Sequence, residues 1–375
     1  MPSVAIIGTR GYPSYYGGFE TAVRKLAPYL CDAGWDVTVY GRPGTTRGDD
    51  KDRDPRVDAV ETWGIESKSL STLSYGYFAT RDAIRRRVDV ALVMNVANGY
   101  WLPMLKRAGI PTLVNVDGIE WDRDKWNGLA KRAFIQGAKL TAKYASELVF
   151  DAEAIGARWR KDLGRDGVFL PYGGEAGEPL EVPLNLERRK YVLVVARFVP
   201  ENSISAFFDA VPRIQQEAPV IIVGSTGYGG DLDDRAAELD RTYDRVQWLG
   251  HVSNDSLLSA LWQNAGVYFH GHSVGGTNPA LVQAMASGAP VVARDTVYNA
   301  EVLGDSSQLS APSSSDIASS IITLLGNPER QDECSRRNRL RARSRYSWDE
   351  ICSGYEKNLR AIMPADAPVP IRSRA

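Results

Sequence analysis

Two side chains of opposite charge stand where a reacting group is well placed. Asp117 follows the apolar run from Pro111 to Val116 and precedes a glycine, within NVDGIEWDRDKW from Asn115 to Trp126. Arg197 follows the apolar run from Tyr191 to Ala196 and precedes VPEN. A carboxylate at a strand end orients a hydroxyl or takes its proton, and an arginine there neutralises a phosphate with its planar fork of donors. An Asx turn or a helix cap would equally account for Asp117. The third candidate is the polar turn HGHSVGGTN, ahead of Pro279. Asn278 is a natural N-cap and Pro279 fits the first helical position. Free N–H groups at that helix start, with Gly275 and Gly276 leaving the approach open, make an anion site the expectation. His272 and Thr277 add an imidazole and a hydroxyl for phosphate or sugar. Gln283, one turn into the helix and directed back toward its start, can bind a hydroxyl through both ends of its amide, although a core-edge glutamine is the plainer account.

A second glycine-rich turn, GTRGYPSYYGGFET, follows the first strand, Val4 to Ile7. Gly17 and Gly18 lie just before a helix from about Phe19 to Ala33, where backbone bends sharply or meets a ligand closely, and Arg10 reaches an anion from the same loop. The glycines would also be explained as turns alone. The spacing lacks G-x-G-x-x-G, so no nicotinamide cofactor is expected. Two such turns in different halves suggest one ligand held between two domains.

The elements that must position these residues alternate strand and helix. Trp35 to Tyr40 completes a βαβ start, followed by strands at Val57–Glu61, Val90–Val93 and Pro111–Val116 and a helix over Leu73–Val88. The connection between domains falls near Pro171 to Asn185. A second series begins at Tyr191, with a helix from Ser203, strands at Pro219–Val223, Val246–Leu249, Val267–Phe269 and Pro290–Ala293, and helices over Leu257–Gln263 and Pro279–Ser287. The pattern gives a first doubly wound domain over 1–180 and a second over 181–347, and leaves 348–375 as a C-terminal segment with a tail.

Composition narrows the function classes. With 45 basic and 46 acidic side chains among 375 residues, the net charge of -1 leaves no nucleic-acid footprint. Cys31, Cys334 and Cys352 have neither metal nor redox spacing and read as structural thiols of a reducing cytoplasm. His270 and His272 lack acidic or cysteine partners at metal-ligand spacing, so no metal site is expected. No apolar run reaches the length of a spanning helix, and no basic leader precedes the first strand. A cytoplasmic protein is expected. The helix after Asp117 mixes Lys125, Lys131, Arg132, Lys139 and Lys143 with Trp126, Leu129, Phe134, Ile135 and Leu140, a composition suited to peripheral contact with membrane headgroups. Arg85, Arg86 and Arg87 read as a solvated helix end or as a contact for anionic lipid or phosphate.

Together these stretches resemble the retaining glycosyltransferases of family 4, whose GT-B fold has two Rossmann-like doubly wound α/β domains facing across a cleft. The resemblance spans nearly the whole chain: Gly17, Gly18 and Glu20 in the first loop, Arg197 with Glu201 at the entry to the second domain, SVGGTNPALVQAMASGAPVVA, and the terminal RYSWDEICSGYEKNL. More narrowly, IIGTRGYPSYYGGFET, VDGIEWDRDKW, VARFVPEN and GHSVGGTNPALVQAMA are similar to the bacterial rhamnosyltransferase branch of capsule, cell-wall or exopolysaccharide assembly.

The resemblance implies transfer with retention from a nucleoside-diphosphate sugar, dTDP-rhamnose or a UDP-sugar, without a cofactor or tightly bound metal. The donor would lie mainly on the second domain. A glycan or polyprenyl-diphosphate-linked acceptor would enter through the first, and the last helix, Trp348 to Ile362, would cross back to that domain. Asp117 and Arg197 would serve the reaction; Arg10, Gly17, Gly18, Glu20, Asn202, His272, Gly275, Gly276, Thr277, Asn278 and Gln283 would hold substrates. Several positions depart from the wider family. Its two glutamates, eight positions apart, match Gly275 and Gln283, the lysine of its diphosphate clamp matches Asn202, and a first-domain histidine is replaced by Asp117. These departures keep two alternatives open: a catalytically reduced nucleotide-sugar-binding or scaffold protein, and a sugar-nucleotide epimerase of the same architecture.

Overall fold

The computed structural model describes residues 1–364 apart from 16, 47–48, 51, 66–70 and 124–125. Asp124, Lys125 and the expected tail after 364 therefore lie outside the described residues. Its contacts divide the chain into two units, Met1–Pro171 joined by the chain from Trp348, and Tyr172–Ser347. In the first, β1 (Ser3–Ile7), α1 (Gly18–Asp32), β2 (Asp36–Gly41), β3 (Asp58–Glu61), α2 (Ser71–Arg86), β4 (Val90–Met94), α3 (Leu102–Arg107), β5 (Thr112–Asn115), α4 (Gly128–Tyr144), β6 (Glu147–Phe150), α5 (Glu153–Leu163) and β7 (Val168–Phe169) follow one another. All seven strands are parallel, in the order β3-β2-β1-β4-β5-β6-β7. β1 and β4 are buried along nearly their whole length, as strands covered on both faces must be.

The second unit repeats the plan with β8 (Val192–Val195), α6 (Ile204–Glu217), β9 (Val220–Val223), α7 (Asp231–Thr242), β10 (Val246–Trp248), α8 (Asp255–Asn264), β11 (Val267–His270), α9 (Pro279–Ser287), β12 (Val291–Arg294), α10 (Val297–Leu303), β13 (Leu309–Ser310), α11 (Ser314–Leu325) and α12 (Pro328–Arg345). Its six parallel strands run β10-β9-β8-β11-β12-β13. Phe207 of α6 stacks on Phe269 of β11 at 5.1 Å between ring centroids, tying helix to sheet in the core. In each sheet the first strand has its second strand on one side and its fourth on the other. Ligands of such sheets settle at the carboxyl ends of the strands where the order reverses.

α13 (Trp348–Ile362) belongs to the first unit. Trp35 donates to Glu356 at 3.3 Å, the Arg360 guanidinium lies 5.1 Å over the Trp35 ring, and Tyr355 and Leu359 are buried. The chain passes to the second unit at Pro171–Tyr172, earlier than the boundary expected at 180. The reason is visible in the backbone of the connecting stretch. Gly174 donates to the Tyr346 carbonyl, Glu175 exchanges two bonds with Gln283, and Gln263 bonds both Glu178 and Leu180. The connector is thus already part of the second unit before its strands begin.

Candidate functional site

At the reversal point of the first unit, the ends of β4 and β5 are locked together by side chains. Just past both strands stand non-glycine residues with left-handed backbone, Asn95 at φ 70° directly after β4 and Asp117 at φ 63° two positions after β5. Such conformations cost about 1–3 kcal/mol and are held by surrounding structure, most often where function needs them. Here the holding groups form a ring: the Asn95 amide N–H donates to the Asn115 carbonyl at 2.9 Å, the Asp117 N–H donates to Asn115 Oδ1 at 3.0 Å, and Asn95 Nδ2 donates to Asp117 Oδ2 at 2.9 Å. Asn115 Nδ2 in turn donates to the buried Tyr355 hydroxyl at 2.7 Å. Asp117 is half-buried, and Oδ1 bonds no described residue. β1 meets this arrangement at Gly8 (φ 102°), where a Cβ would run into the Met94 carbonyl and Asn98.

The first loop is stapled rather than open. Gly17 caps α1 through its backbone, Gly18 is the first helical residue, and Glu20 turns back so that its Oε1 accepts from the Arg10 N–H at 3.0 Å. With 5% of its surface exposed, Glu20 holds the loop from inside. A Cβ on Gly17 would come 3.3 Å from its other oxygen, which accounts for that glycine by packing. The expected substrate contact of Glu20 is therefore replaced by a loop-fixing one, because a buried carboxylate needs donors and the nearest is the Arg10 backbone.

In the second unit, β8 delivers Arg197 into a short helical turn at Pro200–Asn202, and Ser203 (φ 53°) starts α6. The Arg197 side chain is exposed and pairs with no described residue. Asn202 occupies both ends of its amide: Nδ2 donates to the Arg197 carbonyl at 2.8 Å, and Oδ1 lies 2.6 Å from His272 Nδ1. Since the amide donor is already used, His272 Nδ1 carries the hydrogen toward Oδ1. Asn202 thus aligns Arg197 and His272, a different task from the diphosphate contact assigned to it. Ser273 donates through N and Oγ to the Glu201 carbonyl at 2.8 and 2.9 Å, and Gly271 packs so closely on the Asn202 carbonyl that no Cβ fits. Glu201 Oε1 is buried without a partner among the described residues. The ends of β8 and β11 are therefore one rigid piece.

The helix start proves to be as capped as the sequence predicts, and that changes the anion site. Asn278 Oδ1 accepts from Ala280 N at 3.0 Å, the Asn278 carbonyl accepts from Leu281 and Val282 at 3.1 Å each, and Pro279 has no N–H. The first-turn donors of α9 are consumed internally. What is left without an acceptor is the turn itself: the amides of the buried Gly275 (φ 89°) and the half-buried Gly276 donate to no described residue. Thr277 is buried at 3% exposure and belongs to the packing of the turn. Gln283 also departs from its expected direction. Its Oε1 accepts from Glu175 N at 3.2 Å and its Nε2 donates to the Glu175 carbonyl at 2.9 Å and to Ser287 at 3.3 Å. The connector backbone, pressed onto the Val282 carbonyl at Gly174, offers one donor and one acceptor, and an amide matches both.

His270 ends β11, and His272 lies beyond the strand with ring centroids 6.2 Å apart. Tyr268 bonds His270 Nδ1 at 3.1 Å, while Nε2 is buried without a described partner. Burial, with His272 as the lesser cause, pushes its pKa down to about 3, so the ring is neutral. Among the described residues no group of three or more His, Cys, Asp or Glu is arranged to hold a metal. Asn95, Asn115 and Tyr355 complete the first-unit arrangement. Asn95 had a sequence signal in its place after a strand; Tyr355, 240 positions from Asn115, had none.

Comparison with known proteins fits this geometry. Residues 17–173 match the family model "Glycosyl transferase 4-like domain" and residues 180–341 match "Glycosyl transferases group 1". Sucrose-phosphate synthase from Thermosynechococcus elongatus superposes with a TM-score of 0.80 at 19% identity, over 96% of this chain and 99% of that one. The chain is built from the two domains of a GT-B glycosyltransferase. HepE of Anabaena, solved in complex with UDP-glucose, gives a TM-score of 0.74 at 16% identity, over 96% of this chain and all of that one. The phosphatidyl-myo-inositol mannosyltransferase of Mycobacterium leprae (strain TN) is 26% identical over 58% of this GT-B chain, and the matched part spans 60% of that protein's length. The MMP alpha-(1->4)-mannosyltransferase of Mycolicibacterium hassiacum is 25% identical over 96% of this chain and 99% of its own.

Proposed function

We propose that this protein transfers a sugar from a nucleoside-diphosphate sugar to a hydroxyl of a saccharide or lipid-linked glycan, with retention at the anomeric carbon and without a tightly bound metal. The observation that carries the reading is that Arg197, exposed and without a described partner, and the amides of Gly275 and Gly276, which donate to no described residue, follow the neighbouring strands β8 and β11 at the reversal point of the second sheet. Both suit a diphosphate whose charge grows as the sugar leaves. In the transfer the anomeric C–O bond to phosphate breaks with its electron pair leaving on the diphosphate. The acceptor oxygen bonds the same carbon, and its proton passes to the departing phosphate oxygen in a front-side substitution. Asp117 orients the acceptor hydroxyl, Arg10 assists the anion, and His272 bonds a phosphate or sugar oxygen.

The donor sugar is taken as a hexose or 6-deoxyhexose. Motif resemblance favours L-rhamnose carried on dTDP, whereas two curated relatives are mannosyltransferases. The test is a panel of dTDP-rhamnose, GDP-mannose and UDP-glucose against saccharide and polyprenyl-diphosphate-linked acceptors, read by intact-product mass and anomeric NMR. Calorimetry that found no binding of any nucleoside diphosphate would overturn the proposal; donor binding without transfer across the panel would favour the binding-protein reading, for which the neutral residues at 202, 275 and 283 argue.

A lipid-linked acceptor also gives a use to α4. Lys131, Arg132, Lys139 and Lys143 pair with no described carboxylate, and Leu129 is 75% exposed. No helix among the described residues is long and apolar enough to cross a membrane. Peripheral binding to anionic headgroups is therefore part of the proposal. Lys139→Glu with Lys143→Glu is expected to weaken flotation with anionic vesicles at least about 30-fold, at roughly 1 kcal/mol for each lysine lost; unchanged flotation would remove the membrane from the reading.

A further inference from the structure

Tyr355 reaches the reversal point of the first sheet from the other end of the chain, on α13, and is buried to 3% exposure. Its hydroxyl accepts from Asn115 Nδ2, whose other end accepts from the Asp117 N–H. Asn115 is 2% exposed, so an amide hydrogen deprived of Tyr355 has no water to turn to. Asp117 depends on that amide, because its left-handed backbone is held there by the Asn115 bond on one side and by Asn95 on the carboxylate on the other. We propose that Tyr355 is a positioning residue for Asp117, acting through Asn115, and that Asn95 is its counterpart on β4, so that the terminal helix sets the aim of the acceptor-side carboxylate. The inference rests on the reading of Asp117 as the group that meets the acceptor hydroxyl.

The chemistry of the parts supports a relay over simple packing. A phenylalanine would fill nearly the same volume as Tyr355, so what the hydroxyl adds is an acceptor for one amide hydrogen. Asn95 Oδ1 accepts from Ala97 N, which leaves its Nδ2 end facing Asp117 Oδ2 and keeps Oδ1 of Asp117 for a ligand. Each amide is therefore fixed at both ends, and a small rotation of Asn115 passes directly into the Asp117 backbone. Orientation errors of this kind reduce the rate of the chemical step far more than they alter donor binding.

The test compares Tyr355→Phe, Asn95→Gly, Asp117→Asn and Tyr355→Phe/Asp117→Asn in the full-length protein, once a transferred product has been identified. Glycine at 95 and asparagine at 117 both accept left-handed backbone, so these variants keep the fold. Asp117→Asn is expected to lower kcat at least about 100-fold. Tyr355→Phe and Asn95→Gly should each lower it about 10-fold, with the donor KM within about 2-fold of the parent. In the Asp117→Asn background, Tyr355→Phe should cost nothing further, because the group it aims is gone. An equal 10-fold loss in both backgrounds, or a loss of folded fraction with kcat per folded molecule unchanged, would overturn the relay while leaving Asp117 in place. Full kcat in Asp117→Asn would instead overturn the role of Asp117. If Tyr355→Phe does not fold, Asn95→Gly decides: parent kcat in that variant sinks the proposal.

Discussion

The carboxyl ends of β1, β4 and β5 in the first unit and of β8 and β11 in the second occupy equivalent places in two parallel sheets of the same strand order, yet they are furnished differently. The first presents a carboxylate held in a ring of asparagine amides, with left-handed backbone at Asn95 and Asp117. The second presents an arginine with no partner among the described residues, an imidazole aligned by Asn202 and a turn whose glycine amides donate to no described residue, and among the described contacts its one carboxylate is Glu201. On the proposed reading, one end accepts hydrogen from a hydroxyl and the other gives hydrogen to an anion. A repeated topology thus fixes where a site lies, and the residues just past each strand decide what it does.

Arg197→Ala is the sharpest test of this division. It should weaken nucleoside-diphosphate binding roughly 10- to 100-fold, the worth of a charged hydrogen-bonding partner, while Asp117→Asn leaves that binding unchanged. Calorimetry with UDP, dTDP and GDP would show it, and an Asp117→Asn effect as large as that of Arg197→Ala would erase the distinction.

A smaller effect separates the two ends by pH. His270 is buried neutral with its pKa depressed to about 3, so below about pH 6.5 the unfolded chain takes up a proton that the folded one refuses. Stability is then lost as pH falls from about 6.5 toward 3, by up to about 1.4 kcal/mol per pH unit from this group. His270→Phe should flatten that part of the profile for the second unit in chemical denaturation; the same slope in parent and variant would assign the acid sensitivity elsewhere. The smallest expected change is in nucleotide affinity of Gln283→Glu. A carboxylate keeps the bond from Glu175 N but faces the Glu175 carbonyl without a hydrogen, so amide exchange around Glu175 should quicken while nucleotide affinity stays within about 3-fold. A 10-fold change in affinity with unaltered exchange would restore the substrate-hydroxyl contact expected of Gln283.

Much of the fold could be read in the residues themselves. The buried strands are short apolar runs, and Asn278 with Pro279 announces α9, since caps and proline geometry are local. The candidate residues Asp117 and Arg197 were legible because they follow such runs directly. Pattern could not say where a polar side chain would spend its hydrogen bonds. Glu20, Asn202 and Gln283 carry the right groups for a substrate and use them on the Arg10 N–H, the Arg197 carbonyl and the Glu175 backbone. The same cap that revealed α9 consumed the donors expected of it, a consequence that follows from counting N–H groups and not from periodicity. Tyr355 was hidden for another reason: its partner lies far away in the chain, and no local spacing links them.

The left-handed backbone at Asp117 has a consequence for how this site varies in nature or in the laboratory. Glycine, asparagine and aspartate are the residues that such a backbone tolerates with the least strain. Geometry therefore shortens the list of acceptable residues before chemistry chooses among them. Two of the three lack an ionisable group. If Asp117 serves the reaction as proposed, a chain can cross from active to silent at this position in a single step and keep its fold, which would make folded but inert descendants easy to generate and hard to recognise by expression or solubility alone.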